Sequence, residues 1–371
     1  MSIVPLADAG PECGGKAHGL AVMLRAGLPV PDGFVVTDPA VDPRQVADRL
    51  RGRAFAVRSS GRAEDSAAAS FAGQLDTVLG ARGLDDVLAA IRRCAASAGT
   101  GRARAYRERL GLGTEAAVPV IVQELIEADH AGVLFTRDPR DGTPAVVINA
   151  SWGLGESVVS GAVVPDEIVV AGTVRVTAGA KQTRLDLGAD GLVRSGVPAA
   201  DRARVCVPPE EVPRLVALGR RCEEVAGHAQ DVEWAVRDGR IWLLQSRPIT
   251  AVATSAAGAD GGARPLVTGV PSSPGRACGP VRLVRGVDEF ARVRPGDVLV
   301  CRTTDPAWTP LFRLAAAVVT ETGGVLSHAA IVAREYGIPA VAGAGAAMTS
   351  LTDGVSVIVD GTAGTVTGGS A

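Results

Sequence analysis

The apolar residues in the first 250 positions follow two patterns. Short apolar runs, typical of buried strands, lie at residues 55–57, 118–122, 145–148 and 241–244. Apolar residues that recur every three or four positions predict helices over residues 84–96 and 210–226. This mixture of short strands and helices indicates an α/β fold for the first part of the chain.

The pattern changes between residues 251 and 266, where Ala, Gly and Ser dominate and no period is present. Such a composition is typical of a flexible linker. Beyond it, residues 297–301 and 316–320 are predicted as buried strands and residues 329–336 as a short helix. The chain is therefore predicted to have two mixed α and β domains, 1–250 and 267–371, joined by the linker 251–266.

Composition and charge exclude several classes of function. The 371 residues include 38 Lys and Arg against 40 Asp and Glu, so the net charge of −2 provides no overall positive field for nucleic acid. Aromatic residues make up 3%, too few for a platform that stacks single strands. The chain has no secretory pattern and no run of about 18 apolar residues, so we expect a cytoplasmic protein without a membrane partner. Six scattered cysteines without a CxxC pair predict reduced, buried thiols.

The chain has only two lysines, Lys16 and Lys181, and the first lies in a glycine-rich segment. Residues 10–16 approach the phosphate-binding pattern GxxxxGK[ST], but Ala17 has no hydroxyl for Mg²⁺, which argues against that motif. A glycine turn before a helix over residues 17–26 is the simpler interpretation. Lys16 directly after two glycines still suggests a cation beside an anion such as phosphate.

A second group of candidate phosphate ligands lies between residues 55 and 77. Arg58 ends a predicted strand and enters a polar turn, and residues 70–74 form a small turn around Gly73, followed by Thr77. An arginine fork together with glycine amides suits a polyphosphate, because the fork grips two oxygens at once. Taken singly, each feature also fits a surface ion pair or an ordinary turn.

Residues 231–236 and 241–247 are predicted to pair as a hairpin around the turn Asp238-Gly239. Strict alternation would place Asp231, Glu233 and Ala235 on one face, and Leu243, Gln245 and Arg247 on one face of the partner strand. Carboxylate and amide oxygens are the hard ligands that Mg²⁺ prefers, and Arg247 would neutralise phosphate beside it. The alternative is a solvated strand face.

The strongest candidate for catalysis is His328. It follows Gly323-Gly324, with Ser327 as the expected helix N-cap and Gly337 as the expected helix end. The first turn of a helix favours an anion, and imidazole is a competent nucleophile near neutral pH. The pattern therefore indicates a histidine that accepts a phosphoryl group, whereas His18, His130 and His228 are expected to be structural.

These motifs occur in a known order. They are GGKAHGL, LPVPDGFVVT, FAVRSS, SFAGQLDT, SWGLGE, VVPDE, DVEWA, LLQSRPIT, SPGRACGPV and TGGVLSHAAIVAREYGIPAV. Over nearly its whole length the chain resembles the phosphoenolpyruvate synthase, pyruvate phosphate dikinase and rifampicin phosphotransferase family. The resemblance implies an ATP-grasp domain followed by a swivelling β/β/α phosphohistidine domain. In such enzymes a histidine attacks the β-phosphorus of ATP, AMP and phosphate are released, and the phosphohistidine is carried to an acceptor.

The resemblance also implies roles for single residues. The residues implied for ATP are Lys16, Arg58, Gly73, Thr77, Gln123 and Arg247, with Gln123 at the adenine hinge. Glu233 and Gln245 would bind Mg²⁺, and His328 would be the phosphocarrier. Lys181 lies in a segment where the family often has a lysine, and a contact with ATP is one interpretation of it.

The sequence departs from the family after residue 364, because no phosphoenolpyruvate or pyruvate barrel follows and no rifampicin-binding domain follows Arg247-Pro248. Three hypotheses are compatible with this. The chain is a dikinase-type phosphotransferase with a small-molecule acceptor, or a phosphocarrier subunit that serves a separate acceptor-domain protein. The third hypothesis, an ATP sensor that only binds, conflicts with the full set of implied catalytic residues.

Overall fold

The computed structural model of the chain describes residues 2–61, 76–97, 118–189, 191–249, 265–325 and 327–369. Gly73 and residues 251–264 of the predicted linker lie outside these ranges. The described part is mixed α/β, as predicted. Its helices are Gly15–Arg25, Pro43–Leu50, Gly83–Ser97, Glu156–Val159, Ala199–Arg202, Glu211–Ala226, Thr309–Phe312, His328–Tyr336 and Ala347–Ser350. None of these helices is long and apolar enough to cross a membrane.

The first sheet is antiparallel and has helices on both faces. Its strands, in the order β1-β2-β5-β3-β4, are β1 Ile3–Pro5, β2 Gly33–Val36, β3 Ala54–Ser59, β4 Thr77–Arg82 and β5 Val120–Glu124. One face packs on the Pro43–Leu50 and Gly83–Ser97 helices through residues such as Val57 and Ile91. On the other face, Val35 and Ile121 meet Leu20 of the Gly15–Arg25 helix. Because β5 is buried on both faces, consecutive residues at its start are apolar and do not alternate with polar ones.

The next eight strands form a six-stranded antiparallel sheet and a separate two-stranded hairpin. They are β6 His130–Phe135, β7 Val146–Trp152, β8 Asp166–Ala171, β9 Thr173–Thr177, β10 Thr183–Gly188, β11 Gly191–Gly196, β12 Gln230–Arg237 and β13 Arg240–Pro248. The large sheet has the order β13-β12-β6-β7-β8-β9, and β10 pairs with β11. The Glu211–Ala226 helix covers one face, where Leu215 and Cys222 join the same core as Leu134 and Trp234.

The β12–β13 hairpin contains an irregularity that the alternation pattern did not predict. Its turn is formed by Asp238 and Gly239 with φ of 50° and 70°, as the sequence predicted. Glu233 lies opposite Gln245, but the next pair is Trp234 with Leu243, so Leu244 is an extra residue in β13. A β-bulge of this kind changes which face the following residues occupy.

The bulge corrects one prediction. Leu243 does not share a face with Gln245: it is 1% exposed and packs in the core with Trp234 and Ile241. Leu244 instead packs against a separate apolar cluster that contains Ala235. The inserted residue is the reason, because it shifts the period-two pattern by one position.

The third sheet is built only from strands that follow residue 265. They are β14 Val267–Thr268, β15 Val270–Ser273, β16 Arg276–Leu283, β17 Val298–Cys301, β18 Ala317–Thr320, β19 Ala340–Ala342, β20 Ser356–Asp360 and β21 Thr365–Gly368. Strands β16, β17, β18 and β19 are parallel neighbours. The His328–Tyr336 helix connects β18 to β19, with Val332 and Ala333 packed against Leu299 and Val318. A helical crossover between parallel strands is the usual connection.

Most predicted elements are confirmed, with differences at their ends. The strand predicted at 118–122 is β5, which begins at Val120 and ends at Glu124, and the strand predicted at 145–148 continues to Trp152. Ser327 accepts a hydrogen bond from the Ala330 amide at 3.4 Å, and Gly337 has φ of 67°, so both helix-end predictions hold. All cysteines are free and all are buried except Cys278, which is exposed.

The bulge predicts that substitutions at Leu243 and Leu244 lower the free energy of unfolding by different amounts. Replacing Leu243 with Ala is expected to lower the free energy of unfolding by about 2–5 kcal/mol, because a buried side chain leaves a cavity in the core. Leu244→Ala, which removes the same atoms from the other face, should cost clearly less. Chemical denaturation of both variants tests this. A larger loss for Leu244→Ala would mean that β13 alternates without the bulge.

Candidate active site

A cavity of about 570 Å³ lies where the first sheet, the six-stranded sheet and the C-terminal part of the chain meet. Every predicted site residue within the described part of the chain lines it. These residues are Lys16, Arg58, Thr77, Gln123, Glu233, Gln245, Arg247 and His328. Lys16 and His328 are more than 300 residues apart in the chain, and the fold brings both to the same cavity. Gly73 lies outside the described residues.

The position of Lys16 depends on a close contact between two loops. Gly14 has φ of 88°, and a Cβ there would overlap the carbonyl oxygen of Ser60. The Ala17 amide donates to Ser60 Oγ at 3.1 Å, and the Gly15 amide donates to the Gly61 carbonyl at 3.0 Å. The start of the Gly15–Arg25 helix is therefore tied to the end of β3, the strand that carries Arg58. Glycine is needed at position 14 because of both its φ and this contact.

Arg58 connects the two sheets across the cavity. Its Nη2 lies 3.1 Å from Glu233 Oε2, and its Nη1 donates to Gln245 Oε1 at 3.3 Å. The same Nη1 contacts the Leu244 carbonyl at 3.4 Å, which is the oxygen of the bulge residue. The side chains of Arg58 and Glu233 are 14% and 20% exposed, so this ion pair is only weakly screened by water. It is stronger than a surface pair and holds three cavity residues in one cluster.

A second ion pair lies beside the first. Arg247 Nε donates to Asp231 Oδ2 at 2.8 Å, across the hairpin where these two residues are directly opposite. Burial raises the pKa of Asp231, while the guanidinium of Arg247 acts in the opposite direction. Arg334, from the His328–Tyr336 helix, also faces Asp231, and burial lowers the pKa of Arg334 to about 10. Asp231 therefore faces cations from both the hairpin and the C-terminal sheet.

The oxygen donors in the cavity fit Mg²⁺. The Glu233 carboxylate and the Gln245 amide are held side by side by the hairpin, and Glu156, at the start of the Glu156–Val159 helix, lines the same space. Glu156 is exposed, and desolvation by the surrounding protein together with the charge of Glu233 raises its pKa. The described residues contain no group of three or more His, Cys, Asp or Glu arranged to hold a metal alone. Mg²⁺ in nucleotide sites commonly takes one or two protein ligands together with phosphate oxygens and water.

His328 faces the cavity from the C-terminal sheet. It is 7% exposed, with Nδ1 at 2.9 Å from Thr304 Oγ1 and Nε2 at 3.4 Å from Thr309 Oγ1. The ring edge meets Phe312, whose centroid lies 6.0 Å away at an interplanar angle of 89°. Hydroxyl partners on both nitrogens and a perpendicular aromatic ring fix the orientation of the imidazole. The histidine is thus held in place at a helix start and lines the same cavity as Lys16, Arg58 and Arg247.

Sequence reasoning missed Glu156, Thr304 and Thr309. Glu156 belongs to the SWGLGE motif, which contributed only to the resemblance. The two threonines come from the segment after β17, where no local pattern distinguishes them from other polar residues. Only the packing of that segment against the His328–Tyr336 helix identifies them.

The remaining histidines and Lys181 lie outside the cavity lining. His18 contacts the Ala9 carbonyl at 3.3 Å, His130 contacts Glu211 at 2.7 Å and His228 contacts Gln230 at 2.6 Å, in agreement with structural roles. Lys181 is fully buried in an ion pair with Asp166, and its Nζ also donates to the Gly179 carbonyl at 3.2 Å. The structure therefore places Lys181 in the core and corrects the interpretation that it contacts ATP.

Comparison with known proteins decides the family. The profile described as pyruvate phosphate dikinase, AMP/ATP-binding domain, matches residues 43–261, and the profile described as PEP-utilising enzyme, mobile domain, matches residues 293–364. The chain belongs to the phosphoenolpyruvate synthase and pyruvate phosphate dikinase family. The matched regions are accordingly an AMP/ATP-binding domain followed by a mobile domain.

Three curated relatives show how far the similarity extends. The probable phosphoenolpyruvate synthase of Methanothermobacter thermautotrophicus is 36% identical and aligns with 96% of this chain and 61% of its own length. The phosphoenolpyruvate synthase of Pyrococcus furiosus is 38% identical over 84% of this chain and 40% of its own length. That of Pseudomonas aeruginosa is 41% identical over 82% and 42%. The chain thus spans about two fifths to three fifths of these relatives.

The two lysines of this family member predict separable defects. Lys181→Met leaves the Asp166 carboxylate buried without its cation, so the free energy of unfolding should fall by about 3–5 kcal/mol while the folded fraction still binds nucleotide. Lys16→Met should leave unfolding nearly unchanged and weaken ATP binding at least about tenfold. Denaturation and calorimetric titration of each variant measure the two effects. The assignment is wrong if Lys181→Met weakens ATP binding in the folded protein as much as Lys16→Met does.

Proposed function

We propose that this protein is an ATP-dependent phosphotransferase of the AMP-forming dikinase type, in which His328 carries the phosphoryl group. The observation that supports this most directly is the position of His328 in the cavity that also holds Lys16, Arg58 and Arg247. This buried imidazole lines the same cavity as three cations and two oxygen donors suited to Mg²⁺. Such a set of groups favours nucleophilic attack on a polyphosphate.

The nucleotide would lie along the cavity with its two ends in different surroundings. Lys16, Arg58 and Arg247 would neutralise the triphosphate, with Thr77 beside it. The family resemblance adds Gly73 to this set, a residue that lies outside the described ranges. The cavity is also lined by the apolar residues Leu125, Ile126, Leu154, Leu192 and Leu244, which would hold adenine together with Gln123. Gln123 is 2% exposed and donates to the Pro31 carbonyl at 3.4 Å, so it is part of a rigid wall.

Glu233 and Gln245 would hold Mg²⁺ together with phosphate oxygens. The ion would neutralise charge that develops on the phosphates during transfer. Arg58 already contacts both donors, so it would move from them to the triphosphate when metal and nucleotide bind. Without nucleotide, the acidic donors of the cavity would thus pair with its cations. With nucleotide bound, the cations would pair with the phosphates and the donors with Mg²⁺.

The proposed step at His328 has two stages. An imidazole nitrogen forms a bond to the β-phosphorus, and the bond from that phosphorus to the oxygen shared with the α-phosphate breaks, so AMP leaves with the bonding pair. Water then attacks the terminal phosphorus, inorganic phosphate is released, and the β-phosphoryl group stays on His328. The other ring nitrogen keeps its proton and its threonine partner, which orients the ring, while the threonine on the attacking nitrogen gives up its contact.

Delivery requires the histidine to leave the cavity. We assign residues 1–250 to the nucleotide-binding domain, 267–371 to the mobile domain and 251–266 to the linker between them. The acceptor is a small nucleophile that meets phosphohistidine after the mobile domain has moved. Pyruvate is the first candidate to test, since the relatives are phosphoenolpyruvate synthases.

The variant His328→Ala is expected to bind ATP normally and form no phosphoenzyme. With wild-type protein, ATP labelled at the β-phosphate should label the protein, and AMP and phosphate should be the products. ATP labelled at the γ-phosphate serves as the control, because its label should end in free phosphate. Label on His328→Ala, or ADP as the sole nucleotide product of the wild type, would refute the proposal.

The metal assignment predicts a nucleotide-dependent defect. Glu233→Ala should weaken Mn²⁺ binding to the protein with bound nucleotide about tenfold or more, as measured by electron paramagnetic resonance. Glu124→Ala is the matched control, because Glu124 also lines the cavity but pairs with Arg53. Equal losses in both variants would show that only the total charge of the cavity matters.

A further inference from the structure

The mobile domain touches the nucleotide-binding domain through a small, well-packed surface next to His328. We call residues 322–325 and 327 the docking loop, and residues 158–165 the docking patch. Val325 of the loop is 1% exposed and packs with Val133, Phe135 and Val163 of the other domain. An apolar side chain inserted into another domain's core is a specific contact, since it fits one orientation only.

The two domains approach each other closely at Gly161. This residue has φ of 69°, and a Cβ on it would lie 2.7 Å from Ser327 Cβ and 3.6 Å from Gly323 Cα. The Gly161 carbonyl accepts a hydrogen bond from Thr322 Oγ1 at 2.9 Å. Glycine at 161 therefore lets the docking loop approach to a distance that no side chain would allow.

The docking loop leads directly into the carrier helix. Ser327 caps that helix, and His328 is its first residue. Because Ser327 and His328 are adjacent, we expect a displacement of about 1 Å at the contact between Gly161 and Ser327 to displace the imidazole as well. In-line attack on a phosphorus tolerates little displacement, so the depth of docking decides whether His328 reaches the nucleotide.

We propose that Gly161 and Val325 are positioning residues for phosphorylation of His328. Val325 anchors the mobile domain, and the missing side chain of Gly161 sets how deeply the docking loop enters. This inference rests on the proposed function, because it assigns the docked arrangement to the step in which ATP phosphorylates the histidine.

The direct test is Gly161→Ala, with Gly172→Ala as its matched control. Gly172 lies in the turn between β8 and β9, has φ of 78°, and has no atom within 4 Å of the added Cβ. Both variants place alanine in a left-handed conformation, but only Gly161→Ala pushes against the mobile domain. Its phosphoenzyme formation at saturating ATP should slow at least about tenfold with unchanged affinity for ATP, while Gly172→Ala should match the wild type.

A compensating change tests the steric cause. Adding Ser327→Gly to Gly161→Ala removes the atom at 2.7 Å and leaves the next contact at 3.5 Å, an ordinary distance. Glycine is also an acceptable N-cap, so the carrier helix should persist. The double variant should recover most of the rate of the single variant Ser327→Gly. Absence of recovery, or equal slowing in Gly161→Ala and Gly172→Ala, would overturn the inference.

Docking itself is measured without catalysis by hydrogen exchange. Amides of the docking patch and docking loop should be protected in the wild type and Gly172→Ala, and should exchange faster in Gly161→Ala. Unchanged exchange in Gly161→Ala would overturn the inference even if labelling fell. If the wild type forms no phosphoenzyme, the proposed function fails, whereas the exchange data still decide whether Gly161 sets the docking.

Discussion

The contact of Arg58 with Glu233 and Gln245 is the interaction on which the cavity depends. It joins a strand of the first sheet to the hairpin of the second, and it places a cation and two oxygen donors within hydrogen-bond distance of each other. Burying a charge without a partner lowers the stability of the fold. Arg58 and Glu233 therefore each offset the desolvation free energy of the other. The cavity can therefore hold these polar groups although leucine and isoleucine side chains also line it.

The bulge in β13 makes this cluster possible. By inserting Leu244, the hairpin keeps Leu243 in the core, turns the Leu244 carbonyl towards Arg58 and still holds Gln245 opposite Glu233. The same hairpin carries Asp231, which faces Arg247 of the hairpin and Arg334 of the His328–Tyr336 helix. The local irregularity thus serves both the core packing and the arrangement of the oxygen donors. Bulges often occur where a strand must redirect side chains beside a site.

Much of the fold and of the candidate site was predictable because the relevant signals are local. Strand and helix positions follow from the spacing of apolar residues, and the caps of the His328–Tyr336 helix follow from Ser327 and Gly337. The role of Lys181 was not predictable in the same way. Its segment resembles that of relatives, yet its burial with Asp166 depends on packing between distant strands. The face of Leu243 escaped prediction for a related reason, since a bulge has no reliable local signal.

The amino-acid sequence by itself determined the family, the mixed α/β fold and the candidate residues that meet in the cavity, because motifs and short-range periodicity are properties of neighbouring residues. Only the tertiary structure decided which lysine lines the cavity, which threonines contact His328 and how closely Gly161 approaches Ser327. These features are distances between segments that are far apart in the chain. They arise from the packing of whole sheets and domains against one another, and no local pattern encodes that packing.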